Sequence, residues 1–144
     1  MTAEDSEQIT FFGWLAIAQW RGAALTDFAF HIPNGGSRYI AEAVKLQKMG
    51  VKPGVSDVFL GVAVSCFHGL FIEMKARGGG RESAEQKAFR SRMTAQGYDC
   101  RVCHGADEAI AQVTRYIGLT GFPIVIGFKP RSPVPAWLKP RGKA

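Results

Sequence analysis

The sequence predicts an α/β fold, a mixed β-sheet flanked by α-helices, and three observations carry that expectation. Apolar residues recur at three- and four-residue spacing in 4–20 and again in 107–117. Two largely apolar runs occupy 55–64 and 70–76, the lengths of strands. Glycines at Gly22, Gly50 and Gly97 end periodic segments. The resulting order is helix, strand, helix, strand, strand, helix, strand, helix, which layers helices on a sheet.

Each element has its own signal. In 4–20, Phe11, Phe12, Leu15 and Ala18 or Gln19 share one helical face, and Gly22 breaks the helix. Phe28, Phe30 and Ile32 then alternate as in a short strand before the tight loop Pro33-Asn34-Gly35-Gly36. A helix is predicted over 37–49, with Ser37 as its cap, Ile40, Val44 and Leu46 or Gln47 as its inner face, and Gly50 closing it. The runs 55–64 and 70–76 are separated by the turn-prone 65–69 and predict an adjacent pair of strands, a hairpin. Gly78-Gly79-Gly80 is a flexible connection, after which Ser83 opens a helix with Phe89 and Met93 toward the core and Gly97 at its end. A strand over 98–103, an amphipathic helix over 107–117 and a short apolar strand or packed segment over 122–128 complete the series.

A chain of 144 residues fits one domain with a hydrophobic core of its own, placed at 1–128. The arm 129–144 holds four prolines and five basic residues and is expected to be extended. Hydrophobic content of 47% with 21% charged residues is that of a globular protein. No apolar stretch reaches the roughly 18 to 20 residues of a membrane span, and the acidic 1–8 segment is unlike a signal peptide. Three cysteines, an odd number, fit reduced thiols in the cytoplasm of a bacterial or phage-infected cell. The net charge of +6 is uneven, since 1–30 holds four acids against Arg21 alone. A basic surface beyond that first segment suits phosphate binding.

The chemistry concentrates in Gly54-Val55-Ser56-Asp57, Phe71-Ile72-Glu73-Met74-Lys75 and Ser83-Ala84-Glu85-Gln86. Side chains alternate along a strand, so Glu73 and Lys75 share a face and Ile72 and Met74 take the core-directed one. With Asp57 on the neighbouring strand, Asp57 and Glu73 can share one cation, the Met74 carbonyl adding a further oxygen. Mg²⁺ or Mn²⁺ suits such a site, because few protein ligands leave positions for water and phosphate oxygens. A cation there would polarise a scissile phosphate while Lys75 stabilises developing charge or positions the attacking water. A carboxylate inside the apolar run 55–64 requires a partner, which weighs against a solvent-facing ion pair.

These residues, with the loop His31-Ile32-Pro33-Asn34-Gly35-Gly36, the helix end Lys45-Leu46-Gln47-Lys48-Met49-Gly50-Val51 and Gly69-Leu70-Phe71, resemble the VRR-NUC branch of the PD-(D/E)XK nucleases over residues 4–118. The resemblance implies a restriction-endonuclease-like fold and a metal-dependent endonuclease that hydrolyses DNA phosphodiesters. It implies that Asp57 and Glu73 bind metal, that Lys75 is catalytic and that Gln86 points back into the site. Relatives also use an acid from the first helix, which falls at Glu4, with Glu7 as the other choice. Ser56 stands where the family usually has proline, a position that shapes the strand entrance and supplies no ligand. Small standalone relatives, many from phages, are similar to Holliday junction resolvases, which implies a homodimer acting on branched DNA. Asn34, Arg38, Lys45, Lys48 and Arg77 are the candidate DNA contacts, and Lys52, Arg81, Lys87, Arg90 and Arg92 could also track phosphates.

Two other readings compete. A non-catalytic DNA-binding protein could retain the nuclease fold. Cys100-Arg101-Val102-Cys103-His104 matches the C-x-x-C-H haem-attachment pattern, but strand alternation sends Cys100 and Cys103 to opposite faces. A lone C-x-x-C also lacks the second ligand pair of a tetrahedral zinc site.

Overall fold

A computed structural model describes residues 1–34 and 39–127. Gly35, Gly36, the expected cap Ser37, Arg38, Phe128 and the arm 129–144 lie outside the described residues. The elements run α1 (Ala3–Ile17), β1 (Ala18–Trp20), β2 (Ala23–Ala24), a 3-10 turn (Leu25–Asp27), β3 (Ala29–His31), α2 (Ile40–Lys48), β4 (Val58–Leu60), β5 (Leu70–Lys75), α3 (Ala84–Ala95), β6 (Asp99–His104), α4 (Ala106–Gly118) and β7 (Ile124–Ile126).

A four-stranded sheet in the order β3-β4-β5-β6 forms the centre. The expected hairpin is β4 antiparallel to β5, with Val58 opposite Ile72 and Leu60 opposite Leu70. β6 lies parallel to β5, Lys75 opposite His104, so the chain must cross over between them, and α3 is that crossover. The sheet is therefore mixed, as the sequence predicts.

Alternation along β5 divides the two faces. Leu70, Ile72 and Met74 are buried with Phe11 and Leu15 of α1 and Ala109, Val113, Tyr116 and Ile117 of α4, which together make the main core. On the other face the Phe89 ring of α3 meets Phe71 edge-on at 5.2 Å. α3 has no fully buried residue, so Phe89 and Met93 are only half-buried, a thinner layer than the expected core contact.

Two polar contacts join distant elements on the core side. The N-cap of α4 is Gly105, which has no side chain to offer, and Glu7 of α1 supplies the missing acceptor by receiving the Ala106 N–H at 2.7 Å. The buried Tyr116 hydroxyl donates to the Val62 carbonyl at 2.6 Å. Tyr116→Phe leaves that carbonyl unpaired and is expected to cost about 1–2 kcal/mol in denaturant unfolding. An unchanged midpoint would show that water replaces the hydroxyl.

Three expectations change. The first helix ends at Ile17, because Ala18–Trp20 pairs antiparallel with β2 and with β7, the latter about a hundred residues away. Local periodicity holds no information about so distant a partner. Those strands form a second, three-stranded sheet, β2-β1-β7, in which β7 is the short apolar segment expected over 122–128 while β1 and β2 are absent from the predicted order. The proposed inner face of α2 is not buried: Ile40 is 85% and Val44 44% exposed. A nine-residue amphipathic pattern defines an apolar face without defining what covers it.

Candidate active site

β4 and β5 bring Asp57, Glu73 and Lys75 together, and α3 adds Gln86. Asp57 sits one residue before β4, its backbone carbonyl receiving the Ile32 N–H at 2.7 Å and its Oδ2 receiving the Met74 N–H at 2.7 Å. The loop before β3's partner strand is tied down by Asn34, whose Nδ2 donates to the Val55 carbonyl at 3.1 Å, and His31 Nδ1 lies 2.8 Å from the Asp57 carbonyl. Asn34 thus braces the Asp57 segment.

Lys75 Nζ lies 3.1 Å from Glu73 Oε1 and donates to Gln86 Oε1 at 3.2 Å. Gln86 Nε2 donates to the same Glu73 Oε1 at 2.6 Å. Gln86 is also the third residue of a capping box: Ser83 Oγ receives its N–H, and its Oε1 receives the Ser83 N–H at 2.8 Å. One side chain therefore fixes the start of α3 and the geometry of the site. Gly54 permits the approach of α3, because a Cβ there would stand 2.5 Å from the Glu85 carbonyl carbon.

Glu73 is 4% exposed, and its Oε2 is buried without a hydrogen-bond partner. Burial and then the nearby Asp57 charge push its carboxyl up to about 7, against the pull of Lys75. An orphaned carboxylate oxygen is costly unless something positive meets it. The Met74 backbone faces the same place: Lys75 turns its carbonyl to β6, where Gly105 N–H donates to it at 2.9 Å, so Met74 turns its N–H and C=O toward Asp57. Two carboxylates and a carbonyl are hard oxygen donors, and this set fits Mg²⁺ or Mn²⁺. Among the described residues no group of three or more His, Cys, Asp and Glu forms a ligand cluster.

The first-helix acids separate clearly. Glu7 is engaged by Ala106 N–H and by Arg77 Nε at 3.4 Å, and the Ala106 bond holds its carboxyl below the usual range. Glu4 is half-buried, its carboxyl raised chiefly by burial, and it feels the charges of Lys75 and Asp57. Glu4 is therefore the first-helix acid that senses the site's charges, although among the described residues it does not join a ligand cluster with the other two.

Of the expected DNA contacts, Lys45 and Lys48 are exposed on α2. Arg77 is exposed but bridges Glu7 and, at 3.2 Å, Asp107, so its charge is already matched within the fold. Arg38 lies outside the described residues. The C-x-x-C-H run is β6 itself. Cys103 is buried opposite Met74 and its thiol is pushed up to about 12 by burial, while Cys100 lies on the other face opposite Phe71. Three structural roles escaped sequence reasoning: the close packing of Gly54 under α3, the capping of α4 by Glu7 and the contact of His104 with the Gly80 carbonyl. Pro53-Gly54 is a visible turn signal, but nothing local marks the other two.

No family model and no curated protein matches the sequence. A solved structure described as a VRR_NUC domain protein is 31% identical, superimposes with a TM-score of 0.74, and aligns over 83% of this chain and 91% of its own. Similarity of that extent, over a mixed sheet whose hairpin and crossover helix meet at Asp57, Glu73, Lys75 and Gln86, places this chain in the VRR-NUC domain family.

Proposed function

We propose that the protein is a Mg²⁺- or Mn²⁺-dependent endonuclease acting on DNA, selective for branched structures such as four-way junctions. The observation that carries the proposal is the buried Glu73 Oε2, without a hydrogen-bond partner beside Asp57. Asp57, Glu73 and the Met74 carbonyl would hold the cation. When bound, it supplies Lewis-acid polarisation of the scissile phosphate.

The chain's own residues do the rest. Lys75 has three N–H donors, and two are directed at Glu73 and Gln86. The third is available to the phosphate or the attacking water, where a positive charge stabilises the pentacovalent transition state. Gln86 holds both Lys75 and Glu73, which limits the loss of ammonium orientation between turnovers. Lys45, Lys48 and the basic arm supply salt-sensitive phosphate affinity. A homodimer would place two sites on the two strands of a junction, as its paired cuts require.

The test is a gel assay of labelled four-way junction, flap, single-stranded and linear duplex DNA with Mg²⁺, Mn²⁺ or EDTA. Junction incision that needs metal and is lost in Lys75→Ala is expected. Cleavage of flap or linear DNA in preference would keep the nuclease and remove the branch selectivity. Binding without cleavage in either metal would favour a DNA-binding protein that retains the fold. Light scattering that gives a monomer at working concentration would remove the dimer.

A further inference from the structure

The connection 76–83 runs from Lys75 at the end of β5 to Ser83 and Gln86 at the start of α3, so both of its ends are site residues. Its middle is Gly78-Gly79-Gly80, and Gly78 and Gly80 have φ of 73° and 85°, a left-handed region open to glycine. Such a segment has the largest backbone freedom a chain can have. The fold nevertheless holds it at three points. Arg77 is bound by Glu7 and Asp107 at the start, and Glu82 receives both Arg90 Nε and Nη2, at 2.8 and 2.7 Å, at the end. In the middle, His104 Nε2 lies 3.2 Å from the Gly80 carbonyl. Because a carbonyl only accepts, that ring nitrogen carries the proton.

Gly80 in turn lies on Lys75. A Cβ at Gly80 would stand 3.0 Å from Lys75 Cδ and 3.5 Å from Cβ and Cγ, so the glycine backbone packs against the aliphatic stem of the lysine. His104 is the residue opposite Lys75 in the parallel ladder, and opposite residues project to the same face. Behind the imidazole stands Glu108, whose Oε2 receives the backbone N–H of His104 at 2.7 Å and lies 3.7 Å from the ring Nδ1. A continuous chain of contacts therefore runs from Glu108 through His104 and Gly80 to the stem of Lys75.

From this geometry we infer that His104 is a positioning residue: it pins the triglycine strap onto Lys75 and so keeps the ammonium on Glu73 and Gln86. It touches neither carboxylate of the site in any contact described above. Its importance for cleavage rests on the proposed nuclease function; its effect on Lys75 does not.

The experiment is therefore read twice. Reductive methylation with ¹³C-formaldehyde, followed by NMR, reports the rate at which Lys75 reacts relative to the other lysines. Lys75, with a side chain 9% exposed, is expected to react slowly in the wild type. His104→Ala is expected to speed it about tenfold, and His104→Gln, whose amide can reach the Gly80 carbonyl, to return it toward the wild-type rate. Glu108→Ala should move the rate in the same direction by less. On DNA the same His104→Ala change should lower kcat about tenfold at unchanged KM, with rescue by glutamine. An unchanged Lys75 rate in His104→Ala, or a glutamine variant as fast as the alanine one, would overturn the inference. A wild type that labels as expected but cleaves no DNA would sustain the strap and remove the nuclease. The side chain of His104 is 38% exposed, so its truncation leaves the core intact, and melting curves of each variant check this.

Discussion

Replacing Glu73 with glutamine is expected to abolish cleavage, by about a thousandfold or more, and at the same time to raise the melting temperature of the metal-free protein at pH 8. The amide keeps an acceptor for Gln86 Nε2 and adds a donor that can face Asp57, so the orphaned oxygen disappears along with the buried charge. The sign follows from proton linkage. The Glu73 carboxyl is pushed up to about 7 from the ordinary 4.5, so the folded state holds its proton more tightly than the unfolded state does. Its favourable contribution is complete below pH 4.5 and is lost as pH rises through about 7. The glutamine variant should therefore gain over the wild type at pH 8 and differ little at pH 5, which melting curves at the two pH values measure. Equal melting temperatures at pH 8 would mean that the carboxylate is compensated within the fold. Retained cleavage would mean that the cation is held elsewhere.

Gly54→Ala should be nearly as damaging to activity although Gly54 contributes no side chain to the site. The backbone there has φ of 87°, and a Cβ would fall 2.5 Å from both the carbonyl carbon and the carbonyl oxygen of Glu85. Backbone atoms cannot move aside as a flexible side chain would. Left-handed strain and overpacking together should destabilise the fold by about 2–4 kcal/mol. A shift of the first turn of α3 that relieves this contact carries Gln86 away from Glu73 and Lys75. Loss of both stability and cleavage is expected, with DNA binding affected least. Denaturation and the gel assay together check this, and a variant of wild-type stability would show that α3 adjusts without cost.

The contrast between Gly54 and Glu73 shows what a sequence makes legible. Glu73 and Lys75 lie two apart in an apolar run, and strand alternation alone places them on one face. The hairpin and α3 were equally readable, from turn residues and from the Ser83 cap. Gln86 was not readable from spacing, since its path to the site depends on where the crossover helix lands; the family resemblance supplied it. Glu7 was out of reach because its role is to cap a helix that begins 99 residues later. The helical periodicity of 4–20 runs on through Ala18–Trp20 for the same reason, the partners of that strand being set by tertiary pairing. Gly54 stood in a recognisable turn, but the atom that forbids a side chain there belongs to Glu85 on another element.

The central claim is that the Asp57–Glu73 pair is a divalent-cation site, and the most direct measurement is a titration of Mn²⁺ into the protein at pH 8, followed by the electron paramagnetic resonance of the free ion. One ion should bind per chain in the wild type and none at the same concentrations in Glu73→Gln or Asp57→Asn. Binding of equal strength and stoichiometry in all three proteins would contradict it.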